Sequence, residues 1–426
     1  MKESDMIISG KSTIKLLLIG SSLFAIQTGS LYAQGQNTGD EGLLGAISNG
    51  KTYVDLRLRH ELVDQTGFAS NANATTLRTK LGYETAKFND FSAAIEFEHS
   101  AELLGGDYNN GINGRTNYPA IIDANHTEVN QAKLTYTGIK DTTVVGGRQA
   151  INISTQRFVG TVGWRQNDQT YDSVAVINKS IKGLTATYGY VWNVNRIFGN
   201  DHPLGDLKTN THVFNANYKA HSALNIEAYG YLIELKNVAV RGLSSKTFGI
   251  RASGGQNASD DVKIIYAAEY ANQTDYRNNP MSFSVDYYMA EAGVVFNGLT
   301  LKGGMENLGS ENGIASFKTP LATLHKFNGW ADKFLNTPNA GLRDYYGQAS
   351  YAISNTNTEL DGTSLTVVYH KFKSDFGGIS YGSEVDASVS KKILDQFTVL
   401  LKYAHYNADT FATDTSKFWF QVATRF

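Results

Sequence analysis

The chain has 426 residues, no cysteine, only 5 prolines and a formal net charge of −2. That near-neutral balance gives no support for nucleic-acid binding, and 41% hydrophobic residues with a mean hydropathy of −0.29 are too little for a helical membrane protein. A soluble chain of this length would divide into two or three domains, because single cores stop growing near roughly 250–300 residues, yet no linker, composition break or charge block marks such a division.

Residues 1–33 read as a secretory signal. Lys2, Lys11 and Lys15 form a basic start, Leu16 to Ile26 is apolar, and Ala33 offers a small residue before a cut. The apolar run is shorter than the about 20 residues a spanning helix needs. Residues 34–50 are polar and glycine-rich and are expected to be a flexible lead-in. From residue 51 to 426 strand patterns follow one another. Tyr53–Val63 alternates Val54, Leu56, Leu58 and Leu62 with Asp55, Arg57, Arg59 and Glu61. Thr75–Phe88 sets Leu77, Leu81 and Tyr83 against Arg78, Lys80 and Glu84, and Phe91–Leu103 sets Phe91, Ile95 and Phe97 against Glu96 and Glu98.

About eighteen such segments can be marked, most with the length a tilted strand needs to cross a bilayer. Their connections alternate. Short turns such as Asn89-Asp90, Lys140-Asp141 and Asn297-Gly298 follow even-numbered strands. Longer loops, notably Leu104–His126, Ser154–Asp168 and Ser310–Gly341, follow odd-numbered ones. A soluble sandwich has no reason to gather its long loops at one end, whereas outer-membrane barrels have short periplasmic turns and long outer loops. The expected fold is therefore all-β: a single transmembrane antiparallel β-barrel over residues 51–426 of an exported, outer-membrane protein of a Gram-negative bacterium. Closure would also remove sheet edges. Tyr188-Gly189-Tyr190-Val191-Trp192 and Tyr287-Tyr288 are expected in the aromatic girdles. The last strand alternates Phe418, Phe420, Val422, Thr424 and Phe426 with Trp419, Gln421, Ala423 and Arg425, and so ends on an aromatic.

No enzyme constellation stands out: there is no G-x-S-x-G, no H-E-x-x-H and no Walker loop. The nine histidines show no metal-ligand spacing, and no cofactor or metal is expected. A barrel enzyme with Ser, His and Asp at the rim stays open, because distant residues cannot be paired from sequence. The informative residues are the charges opposite the apolar stripe. A lysine or arginine facing lipid at mid-membrane costs about 2–4 kcal/mol, so these groups are expected to face the lumen. The set includes Arg57, Arg59, Arg78, Lys80, Lys133, Arg148, Arg251, Lys263, Lys302 and Lys402, with Glu61, Glu84, Glu96, Glu98, Glu269, Glu384 and Asp386. Arginine forks suit a carboxylated solute; the bland alternative is that these charges pair to brace the wall. In the third long loop Leu321, Leu324, Phe327, Trp330 and Phe334 have near-helical spacing. A loop this apolar either folds into the mouth as a gate, with Leu324, Phe327, Trp330 and Phe334 its gating residues, or packs on the rim as a cap.

Three blocks resemble the alginate-export family of outer-membrane porins: Thr76–Tyr83 with Phe91–Phe97; Thr127–Ala132, Gly147-Arg148-Gln149, Gln156–Gly160 and Gly163–Asp172; and Thr319–Phe334. The resemblance implies a monomeric eighteen-stranded barrel with an arginine-rich lumen that conducts an anionic polysaccharide outward. In that picture Arg57, Arg59, Arg78, Arg148, Arg157 and Arg165 contact solute, with Lys80, Asp168, Glu96 and Glu98 beside them. Its surroundings would be outer-membrane lipid and lipopolysaccharide, and a terminal Phe426 would be read by the barrel-assembly machinery. A general or substrate-specific porin for sugars or organic acids is the alternative.

Overall fold

A computed structural model describes residues 42–354, 356 and 358–426; the expected signal segment 1–33 lies outside the described residues. Eighteen antiparallel strands form one closed sheet. They are β1 (Lys51–Gln65), β2 (Ala72–Glu84), β3 (Phe91–Asp107), β4 (His126–Ile139), β5 (Thr142–Gln149), β6 (Thr170–Asn178), β7 (Leu184–Asn195), β8 (Asp206–His221), β9 (Leu224–Ile233), β10 (Ser245–Asn257), β11 (Val262–Asp275), β12 (Ser284–Phe296), β13 (Leu299–Leu308), β14 (Leu342–Ala352), β15 (Thr363–Lys373), β16 (Ser380–Ile393), β17 (Phe397–Ala408) and β18 (Thr415–Arg425). Each pairs with its neighbours in sequence, and β18 returns to β1, with Leu58 opposite Val422 and Glu61 opposite Trp419. Closure leaves no free edge, the condition under which a sheet can sit in hydrocarbon.

Period-2 alternation sorts the side chains. On β1 to β3 Arg57, Arg59, Glu61, Arg78, Lys80, Glu96 and Glu98 are buried on the inner face, while Leu62, Leu81, Ile95 and Phe97 are exposed outside. The apolar outer belt continues through Leu134, Val174, Phe214, Ile264, Val294, Leu301, Val367, Leu401 and Phe420. This is the inverse of a soluble protein, and it makes the molecule a membrane-spanning barrel of the outer-membrane type. Of the expected girdle, Tyr188, Trp192 and Tyr288 are exposed, but Tyr287 is fully buried on the inner face and donates to Glu306 Oε1 at 2.7 Å. Adjacent aromatics on a strand point to opposite faces, so only one of Tyr287 and Tyr288 can meet lipid.

One end carries tight turns. At Asn297-Gly298 φ is +45° and +81°, the left-handed pair that a two-residue hairpin with right-handed strand twist requires. The connection at 353–362 is the long one at this end. The other end carries the long connections 108–125, 150–169 and 309–341. The last part of the lead-in expected to be flexible forms a short helix, Leu43–Ser48, whose Ile47 carbonyl accepts from the Tyr83 hydroxyl.

Candidate functional site

The site is built by two long connections that turn inward and meet inside the barrel. Segment 150–169 leaves β5 and crosses to β1 and β2; segment 309–341 leaves β13 and crosses to β16, β17 and β18. They touch along a short parallel bridge, where Gly160 N donates to the Leu321 carbonyl at 2.9 Å and Thr323 N to the Gln156 carbonyl at 3.0 Å. Beneath that bridge Phe158 packs among Tyr229, Tyr231, Tyr287 and Phe317, with ring centroids 5.1–5.9 Å away.

The first segment is held by the wall's arginines. Arg57 donates from Nε to Gln166 Oε1 at 2.8 Å, from Nη1 to the Gly163 carbonyl at 2.7 Å, and from Nη2 to the Arg165 carbonyl. Gln166 answers through its own amide, donating to Thr76 Oγ1 at 2.8 Å. Lys80 donates to Asp168 and lies 3.7 Å from both Glu96 and Glu98, while Arg78 takes Asp55 at 2.6 Å. Arg165 reaches Glu61 at 3.1 Å, Asp332 at 3.4 Å and Asp123 at 3.7 Å. Arg157 pairs with Glu306 at 2.7 Å and donates to Asn328 Oδ1 at 3.0 Å. Burial would lower the Arg165 pKa, but Glu61 and Asp123 outweigh it and raise it.

The second segment is held by a cation among indoles. Lys402 Nζ donates to His325 Nε2 at 2.7 Å and lies 4.2 Å from the Trp164 ring centroid and 3.8 Å from that of Trp330. Trp164 stacks on His325 at 4.3 Å and carries the Arg59 guanidinium on its other contact at 4.0 Å. His325 Nδ1 in turn donates to Asp332 Oδ1 at 2.7 Å, and Lys417 bonds Asp332 Oδ2 at 2.9 Å. Burial pushes the imidazole pKa down to about 3, against Asp332, so the ring is neutral; burial alone would raise Asp332, but His325, Lys417 and Arg165 hold its carboxyl well below the usual range. At the tip, Trp330 N donates to Asp386 at 3.2 Å and Ala331 N to Glu384 at 2.6 Å. Gly329 (φ +84°) permits this approach, since a Cβ there would lie 2.4 Å from Glu384 Oε2.

These contacts place the residues singled out in the sequence. Arg57, Arg59, Arg78, Lys80, Glu96, Glu98, Arg157, Arg165 and Asp168 share one connected network inside the barrel, and all except half-buried Asp168 are at most 8% exposed. Most of them tie the loops to the wall, while Glu96 is held by Tyr53, Asn130 and Gln131 of the wall itself. Arg148 is different. It is opposite Ala132 and Asp172, on the face of Leu134 and Val174, so it points outward and pairs with Asp172 at 2.8 Å. It stands at the loop end of β5, above the apolar band, where the mid-membrane cost that argued for an inward position no longer applies. Phe334 packs on Phe372 and Phe411, Phe327 lies under Arg157 at 4.8 Å, and Trp330 faces Lys402. The near-helical spacing is not realised: only Leu324–Lys326 makes a single 3₁₀ turn, because Asn328, Gly329 and Asp332 all have positive φ. Nothing local in the sequence marks Asp123, Glu306, His325, Asp332 or Lys417; their partners lie up to 167 residues away.

Charge is unevenly spread around the wall. On the four adjacent strands β17, β18, β1 and β2 the inner face carries Lys402, Lys417, Arg425, Arg57, Arg59, Arg78 and Lys80, against Asp55, Glu61 and Glu84. The flanking β16 and β3 present Glu384, Asp386, Glu96 and Glu98.

No family model matches the sequence, and neither does any curated protein. Solved structures do match in fold. OccAB4 of Acinetobacter baumannii superposes with a TM-score of 0.72 at 14% identity, covering 89% of this chain and 98% of that one. OpdK of Pseudomonas aeruginosa, solved with vanillate, gives 0.69 at 14% identity over 90% and 100%, and OccAB2 of Acinetobacter baumannii gives 0.67 at 17% over 90% and 99%. At these identities the likeness is one of fold, that of a closed barrel of the outer-membrane type. It bears out the barrel that the resemblance implied and not the assignment to the alginate-export family.

Proposed function

We propose that the chain is a passive, substrate-selective channel of the outer membrane that passes small organic anions, carboxylates above all. The observation that carries this reading is the cation-rich stretch of inner wall from β17 to β2, faced by two loops that narrow the space beside it. Arg57, whose acceptors are neutral carbonyls and an amide, and the excess of cations over acids on this stretch of wall leave a positive field focused by the low-dielectric barrel. Rings or stripes of such charge select anions. A structural neighbour solved with vanillate, an aromatic acid, is in keeping with this class of solute. On this reading the barrel works as a monomer among lipid and lipopolysaccharide, with Phe426 as its assembly signal.

The finer reading, export of an alginate-like polyuronate, draws support from two of the three resembling blocks being the loops that enter the lumen. Against it, a linked polymer would have to thread past segments tied to each other and to opposite walls by buried ion pairs. Liposome swelling separates the two. In isosmotic sodium salts, monomeric carboxylates such as benzoate or gluconate are expected to enter severalfold faster than a neutral sugar of similar size, and oligouronates hardly at all. Oligouronates entering as readily as the monomers would favour the polymer.

A further inference from the structure

We infer that the outer mouth holds a binding subsite for amphipathic monocarboxylates, in the cavity between the loop after β7, the turn Val238–Leu243 and the segment 309–341. It is lined by Arg196 and Lys318 together with Leu207, Leu243, Leu324 and Leu335. The inference rests on the anion-channel reading and adds the place where such a solute first docks.

The chemistry of the lining is asymmetric. Among the described residues two cations share the cavity and no carboxylate lines it. Inside the barrel the opposite holds for Arg78, Lys80, Arg157 and Arg165, each matched to an acid. The Arg196 guanidinium rests on the Phe198 ring at 4.6 Å, and its buried Nε finds no hydrogen-bond acceptor among the described residues. Lys318 Nζ donates to the Thr337 carbonyl, one bond for an ammonium that has three to give. Half-buried cations without a carboxylate beside them are held at a cost: burial lowers Lys318 to about 8 and, against a smaller opposing effect of Tyr171, Arg196 to about 10. Both remain protonated at neutral pH, and an arriving carboxylate supplies the missing partner. The leucines, with Val240 and Pro320 beside them, offer apolar surface to the rest of the solute. A head that takes two charge-assisted hydrogen bonds and a body that wants to leave water describe an aromatic or short aliphatic acid. Formate or chloride would use only half the cavity, and a neutral sugar neither half.

The test uses the full barrel in a planar bilayer, with benzoate added to the loop side and the interruptions of single-channel current counted. Benzoate is expected to bind more tightly than acetate, and benzamide not detectably. Replacing both cations, Arg196→Gln with Lys318→Gln, should weaken benzoate about tenfold or more, while Lys318→Arg keeps most of it. Benzoate binding unchanged in the double variant overturns the subsite. If that variant does not assemble, benzamide equalling benzoate on the unmodified barrel overturns it as well. The same recordings keep the two levels apart: a channel that prefers cations fails the anion reading, whereas anion preference with unaltered benzoate block fails the subsite alone.

Discussion

Replacing Arg165 with methionine is expected to unfasten the inner end of segment 150–169 and to cost about 3–5 kcal/mol, the scale for truncating one member of a buried ion pair. Arg165 is 8% exposed and stands among Glu61, Asp123 and Asp332. Methionine fills the volume but leaves three carboxylates facing one another. The penalty is thus mostly the stranded charge of the partners rather than the bond removed. Glu61 belongs to the wall, Asp123 to the loop after β3 and Asp332 to the second inward segment, so the loss is felt by three elements at once. The eighteen-stranded ladder itself is untouched, and the barrel should still form. Its heat-induced unfolding on a denaturing gel should move to lower temperature, open-channel current should become noisier, and protease should cut within 154–168. Unfolding and noise identical to the parent would mean that Arg165 does not hold the loop.

Excising Pro320–Asn336 is expected to raise single-channel conductance severalfold. That stretch carries the tip bonded to Glu384 and Asp386, the His325–Asp332 pair and the Trp330 side of the Lys402 cage. Its removal takes protein out of the lumen and returns Lys402 and Lys417 to water. It also withdraws Asn328 and Asp332 from Arg157 and Arg165, so the first segment should loosen in turn. A rim cap would behave otherwise: its loss would lower stability and leave conductance unchanged. The two outcomes differ in a quantity that does not depend on how well the variant survives heating.

The wall was legible in the sequence because period 2 is a local property. Leu56, Leu58 and Leu62 against Arg57, Arg59 and Glu61 assign both faces of β1 without knowledge of any other strand. The same rule failed where its premise lapsed. The cost of charge in hydrocarbon argues for an inward Arg148, but the end of β5 has already left the hydrocarbon. The positions of the loops were legible, their destinations were not. Nothing near Arg157 points to Glu306, or near Arg165 to Glu61, because a side-chain pair formed across a lumen leaves no periodic trace. The apolar spacing in 321–334 imitates a helix, while the residues that forbid one, Asn328, Gly329 and Asp332, sit among the very positions that made the imitation. The cavity with Arg196 and Lys318 was invisible for the same reason: the two cations are 122 positions apart in the chain and are brought together only by the inward fold of 309–341.

The most direct test of the account is the reversal potential of the purified barrel across a planar bilayer under a tenfold gradient of potassium chloride. The cation-rich wall from β17 to β2 predicts preference for chloride, declining as ionic strength screens the field, and a further shift toward the anion when the salt is a small carboxylate. A potential of the opposite sign, holding at low salt where the wall's field is strongest, would contradict it.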